Sequence, residues 1–169
     1  TYGSHNDYLN DISPDGKKLL CSTSKPDITR CPFSLSSLFE IDLTTLQADT
    51  LVAWDAYLGS ASYSPDGKQL LVTGSPSAFG GIGKNCGEHP IANDFDTQAF
   101  IMDLATKKVQ AITRDFNPTV SPVQWNRVDG CIYFDTTDGD CRHIYRYVPK
   151  TGGFEMLPLE EDVITSFTL

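Results

Sequence analysis

"YSPDGKQLL" at residues 63–71 and "ISPDGKKLL" at residues 12–20 are nearly the same phrase, written twice within 169 residues. Repetition at that separation marks a repeated structural unit. The phrase also has a local physical meaning. Pro65 fixes φ for the second position of a type I turn, Asp66 tolerates the bridge conformation that follows, and Gly67 accepts the positive φ of the closing bulge. Leu70, Leu71 and Val72 then resume an apolar strand. Ser-Pro-Asp-Gly therefore reads as a hairpin turn between two antiparallel strands, at 13–16 and 64–67 alike.

Following the chain outward from the turn reveals the rest of the unit. The residues that precede the turns align as Ile12, Tyr63, Trp125 and Phe167, and the third turn, "NRVDG" at 126–130, keeps Asp-Gly with one residue more. Apolar second strands follow at 18–22, 69–73 and 131–135, and third strands at 37–43 ("SLFEIDL"), 98–104 ("QAFIMDL") and 143–149 ("HIYRYVP"), each with partial period-2 alternation. Polar turns lead to fourth strands at 50–54, 109–113 and 154–157. Four antiparallel strands recurring every 40 to 60 residues or so is the rhythm of a β-propeller, not of a sandwich. The expected fold is all-β: a partial propeller of three four-stranded antiparallel blades at about 6–56, 57–116 and 117–162, with first strands innermost. Residues 163–169 are expected to open a further blade, so that 1–169 is a single partial propeller. An opening strand without its second strand, and blade faces without neighbours, predict self-association of the isolated chain.

Composition narrows the function. A 40% hydrophobic and 11% aromatic content supports a core, and a net charge of −9 without basic clusters argues against nucleic acid and anionic membrane as partners. No apolar run approaches the roughly 18 residues of a membrane span. No charged-then-apolar leader opens the chain, which leaves export open, because leaders are removed. The five cysteines (Cys21, Cys31, Cys86, Cys131 and Cys141) include no CxxC pair and no zinc-spaced Cys/His cluster. They read as reduced, partly buried thiols, and neither metal nor cofactor is expected.

The aromatic-S-P-D-G-K-x-L-L phrase, followed in the second unit by "AFIMDLATKKVQAIT" at 99–113, resembles the propeller repeat shared by the prolyl oligopeptidase family and TolB-like proteins. The stretches "SAFGGIGKNCGEHPIANDFDTQAFIMDL" at 77–104 and "HIYRYVPKTGGFEMLPL" at 143–159 are most similar to bacterial dipeptidyl-peptidase IV-like or acylaminoacyl-peptidase-like enzymes. The resemblance covers essentially the whole chain. It implies a propeller that caps an α/β-hydrolase domain of a periplasmic or extracellular serine peptidase and filters peptides on their way to its serine. A TolB-like propeller that binds a protein partner in the periplasm shares the same repeat. A carbohydrate-active propeller fits less well, since no cluster of aromatics and paired carboxylates stands out.

The catalytic half of such an enzyme is not expected within these residues. A nucleophile elbow needs Gly-x-Ser-x-Gly between strand and helix, and "LGSAS" near Ser60 and "GSPSA" near Ser75 do not supply it. His5, His89 and His143 suggest no Ser/His/Asp set. "GGIGK" at 80–84 lacks the end of a phosphate loop, "DTTDGD" at 135–140 lacks the closing glutamate of a calcium loop, and "EED" at 160–162 reads as a solvated connector. The feature with most functional promise is the long connection at 75–97. Second-to-third connections and blade-to-blade connections emerge on one face, which in the peptidase family looks toward the hydrolase. Lys84, Asn85, Glu88, His89, Asn93 and Asp94 of this connection are therefore candidates to touch peptide substrate or the docked domain. The competing reading is a polar insertion that packs over its own blade.

Overall fold

A computed structural model describes residues 5–87, 93–116, 118–160 and 163–169. Three four-stranded antiparallel sheets follow one another along the chain. The first contains β1 (Asn6–Ile12), β2 (Lys18–Pro26), β3 (Ser34–Asp42) and β4 (Ala48–Asp55) in that order. The second contains β5 (Leu58–Tyr63), β6 (Gln69–Gly74), β7 (Gln98–Asp103) and β8 (Val109–Ala111). The third contains β9 (Val123–Trp125), β10 (Ile132–Asp138), β11 (Cys141–Val148) and β12 (Gly153–Met156). This is the all-β, partial propeller architecture.

Each Ser-Pro-Asp-Gly turn closes through the same atoms. Gly67 N–H donates to the Ser64 carbonyl at 2.9 Å and Gly16 N–H to the Ser13 carbonyl at 2.8 Å, both glycines standing at φ 69°. The serine hydroxyls donate to Asp66 and Asp15 at 2.7 Å. They also accept the Gln69 and Lys18 amides at 2.9 Å. The hydroxyl bond, then the backbone N–H of Lys68 or Lys17, hold both carboxyls below their ordinary value. The third-to-fourth turns repeat as well. Leu46 and Lys107 adopt positive φ where the third sheet places Gly152, and each donates to the carbonyl of the residue four places earlier.

The core lies between sheets, and the repeat register decides who meets whom. Tyr63 pairs with Leu70 as Ile12 does with Leu19 and Trp125 with Ile132. One face of the second sheet (Tyr63, Leu70, Val72, Phe100, Met102) packs on Leu20, Leu38 and Leu51 of the first. Its other face (Leu71, Ala99, Ile101) and Ile112 pack on Ile132, Phe134 and Tyr147 of the third. Consecutive residues of β6 thus bury in opposite directions, which is why "QLLVTG" is a continuous apolar run rather than an alternating one.

Polar groups lock the first two sheets together. Buried Glu40 accepts from the Tyr63 hydroxyl at 2.7 Å and pairs with Lys18 at 2.9 Å, while Asp11 accepts the Tyr63 amide at 2.8 Å. Burial first, then the Glu40 bond, pushes the Tyr63 phenol well above its ordinary value. Residues 163–169, read as the opening strand of a further blade, form no ladder: Val163 makes one parallel bridge to Arg142, and Ile164 N–H donates to the Arg142 carbonyl at 3.2 Å. The segment's backbone finds these partners on β11. No disulfide links the five cysteines. No helix among the described residues is long and apolar enough to cross a membrane.

Candidate functional site

The connection between β6 and β7 divides into two parts. Its first part is tied down. Ser75 N–H donates to the Tyr57 carbonyl at 3.0 Å, Phe79 N–H donates to Asp55 at 2.7 Å, and the Phe79 ring lies 5.1 Å from that of Phe100. A short helical turn, Ala78–Gly81 (α1), is broken by left-handed Phe79 and Gly80, so "GGIGK" does not open a helix able to cradle a phosphate. Gly83 is required by crowding: a Cβ there would stand 2.2 Å from the Gln98 side chain and 3.1 Å from Phe100. This half of the connection packs over its own sheet.

The second part returns across the same face and walls a cleft of about 770 Å³. Asp94, Phe95, Asp96 and Thr97 form one side, and Cys31, Pro32 and Phe33 from the β2–β3 connection of the first sheet form the other. The floor is Ala56 and Tyr57 of the sheet-to-sheet connector and Leu58 and Gly59 at the start of β5, together with Thr73, Gly74 and Ser75. The cleft opens where second-to-third connections and sheet-to-sheet connectors emerge side by side. Its walls are chiefly apolar, its rim carries two exposed rings (Phe95 at 99% and Phe33 at 65%), and among the described residues no basic side chain lines it. Ser75 donates its hydroxyl to one oxygen of Asp94 at 3.2 Å.

The structure separates the candidates named from sequence. Asp94 faces the large cleft. Asn85 and Asn93 line a smaller recess of about 200 Å³ beside Cys86, Arg114 and Asp115, where Asn85 donates to Asp115 at 3.0 Å. Lys84 lends its carbonyl to Arg114 at 3.2 Å and so ties the connection to the segment entering the third sheet. Glu88 and His89 lie outside the described residues. The sequence reading passed over Phe33, Tyr57 and Phe95. The signal that could have found them is topological: successive sheets place residues 25–36 opposite 75–97, so both connections share one cleft.

No nucleophile geometry is assembled among the described residues. Ser60 bonds Thr73 at 2.9 Å, Ser64 bonds Asp66, and Ser75 bonds Asp94. No serine is hydrogen-bonded to a histidine among the described residues; His5 lies 5.6 Å from the Trp54 ring, and His143 belongs to β11. Gly139 and Asp140 turn the hairpin between β10 and β11, with Gly139 at φ 65°. No group of three or more His, Cys, Asp or Glu that could hold a metal ion occurs among the described residues.

No protein-family model matches the sequence, and no curated protein does. Solved structures do. TolB from Acinetobacter baumannii superposes with a TM-score of 0.61 at 22% identity, over 94% of this chain and 33% of that one. Oligogalacturonate lyase from Vibrio parahaemolyticus gives 0.67 at 16%, over 92% and 42%. Acylaminoacyl peptidase from Pyrococcus horikoshii gives 0.53 at 17%, over 89% and 24%. The chain thus spans between 24% and 42% of the length of these structures. Identities this low establish the propeller fold and nothing finer.

Proposed function

We propose that this chain is a non-catalytic propeller portion of a prolyl-oligopeptidase-like serine peptidase, where it gates peptide access and docks the α/β-hydrolase domain. The remaining blades and the hydrolase belong to the parent chain, which on this reading works in the bacterial periplasm or outside the cell. The observation that carries the proposal is the cleft between the first two sheets. Apolar walls with aromatic rims and a few polar groups suit peptide side chains. The same chemistry opposes an oligogalacturonate, a polyanion that would meet Asp94, Asp96 and a chain of net charge −9. A TolB-like propeller that binds a protein partner is the second reading, favoured by the 22% identity to TolB over 94% of the chain.

The test is made on the full-length gene product and on residues 1–169 in parallel. The expected result is fluorophosphonate labelling and peptide hydrolysis by the full-length protein, with the labelled serine outside 1–169, and neither activity in the shorter chain. A full-length product that stays unlabelled would turn the assignment to the TolB-like reading. Labelling within 1–169 that vanishes on substituting Ser60, Ser62, Ser64, Ser75 or Ser77 would overturn the non-catalytic role.

A further inference from the structure

The cleft has a charge pattern as well as a shape. Asp94 and Asp96 stand on either side of Phe95, so one wall carries two carboxylates flanking a ring that is 99% exposed. Phe33, 65% exposed, stands on the opposite wall. Ser75 occupies one oxygen of Asp94, and among the described residues no cation pairs with either carboxylate. Among the described residues this concavity therefore gathers two carboxylates and two aromatic rings with no cation lining it, while Asp96 also borders the neighbouring recess that Arg114 lines.

An arginine or lysine side chain satisfies all of these groups together. Its charge meets the carboxylates, bidentately in the case of a guanidinium, and its planar or ammonium head rests on the face of an aromatic ring. The apolar floor, with Tyr57 and Leu58, then receives a neighbouring apolar side chain, and a volume of about 770 Å³ lies within the range of pockets that enclose small ligands. We propose that the cleft between the first and second sheets binds a peptide segment in which an arginine or lysine adjoins an apolar residue, with Asp94, Asp96, Phe95 and Phe33 as its recognising side chains. This rests on the peptide-handling reading above and adds a preference for basic side chains to it.

The experiment measures fluorescence anisotropy of the 169-residue chain with a labelled, N-acetylated, C-amidated pentapeptide, Ala-Phe-Arg-Leu-Ala, against versions carrying citrulline or glutamate in place of arginine. The expected result is saturable binding of the arginine peptide, weakened about tenfold or more by citrulline, as loss of a charge-assisted contact requires. The variant D94N/D96N should reproduce that loss with an unchanged circular dichroism spectrum, and Phe95→Ala should weaken the arginine peptide further than the citrulline one. Equal binding of all three peptides, no binding, or binding that survives D94N/D96N overturns the proposal. Fluorophosphonate labelling of the full-length product decides the peptidase reading separately. A labelled enzyme with no arginine preference loses only the inference drawn here, and an unlabelled one that still prefers arginine retains it.

Discussion

Replacing Tyr63 with phenylalanine should separate the contribution of one hydroxyl from everything else that joins the first two sheets. Tyr63 is 6% exposed and Glu40 5%, and their oxygens stand 2.7 Å apart. Phenylalanine fills the same space, so no cavity is created. What is lost is a charge-assisted hydrogen bond to a buried carboxylate, worth roughly 1.5–3 kcal/mol. Lys18 remains on the other oxygen at 2.9 Å, but with 43% of its side chain exposed it compensates little. The expected loss is about 2 kcal/mol, or a fall in Tm of roughly 4–8 °C for a chain of this size. Urea unfolding followed by tryptophan fluorescence and circular dichroism measures it. Adding Glu40→Leu removes the stranded carboxylate, so the double variant should be more stable than the sum of the single effects by about 1 kcal/mol or more. The sign with pH follows from the raised phenol: its stabilisation is complete below the ordinary tyrosine value of 10.0 and is lost as pH rises beyond it. The parent chain should therefore weaken faster than Tyr63→Phe above pH 10, with Tyr133 and Tyr147, also raised, leaving a residual slope in both. A Tyr63→Phe chain within about 0.5 kcal/mol of the parent would refute the idea that this bond locks the sheets.

Gly74→Ala should destabilise by about 1–3 kcal/mol, because its Cβ would lie 2.7 Å from the Tyr57 carbonyl and 3.1 Å from the Ala78 methyl; thermal unfolding reads this directly. The lowered carboxyls of Asp15 and Asp66 contribute stability that is complete above their ordinary value of 3.8 and lost as pH falls through the lower folded value. Asp15→Asn with Asp66→Asn should accordingly flatten the acid limb of a pH-stability profile. Leu9 at 60% and Ile12 at 47% exposure belong to the uncovered apolar side of the first sheet. The chain should self-associate through that side, and light scattering should show Leu9→Lys with Ile12→Lys shifting it toward monomer.

The turns and third strands were legible because their chemistry is local. Pro65, Asp66 and Gly67 each have a reason to sit in one turn position, and Phe39, Phe100 and Tyr145 fall at one place in the register of their sheets. The interior of the first sheet was less legible. Nothing in "SLFEIDL" distinguishes Glu40 as buried, since its burial depends on Tyr63, 23 residues further along the chain. The candidate site was legible only in part for the same reason. Residues 75–97 stood out by length, but half of that connection is held down by Asp55 and Phe100, and the cleft is completed by Phe33 from another sheet. Left-handed Trp54, at the end of β4, and Phe79, within α1, carry no sequence signal, since neither is a residue type that favours positive φ.

The Asp-Gly turns also determine how this protein ages chemically. Asp-Gly is prone to cyclise: the glycine nitrogen attacks the neutral aspartyl carboxyl, whose hydroxyl leaves as water, and the resulting succinimide is hydrolysed chiefly to isoaspartate. At residues 15–16 and 66–67 both requirements are blocked: the glycine N–H is spent on a serine carbonyl, and the carboxyl is held ionised by its serine hydroxyl. Gly130 likewise spends its N–H on the Asn126 carbonyl at 3.1 Å. At the tip of the β10–β11 hairpin, where Asp138 and Gly139 are exposed, the glycine N–H makes no hydrogen bond among the described residues. Isoaspartate would therefore accumulate at that tip first. The extra backbone methylene would loosen the Asp138–Cys141 end of the ladder while the Ile132–Tyr147 end, buried against the second sheet, keeps its register.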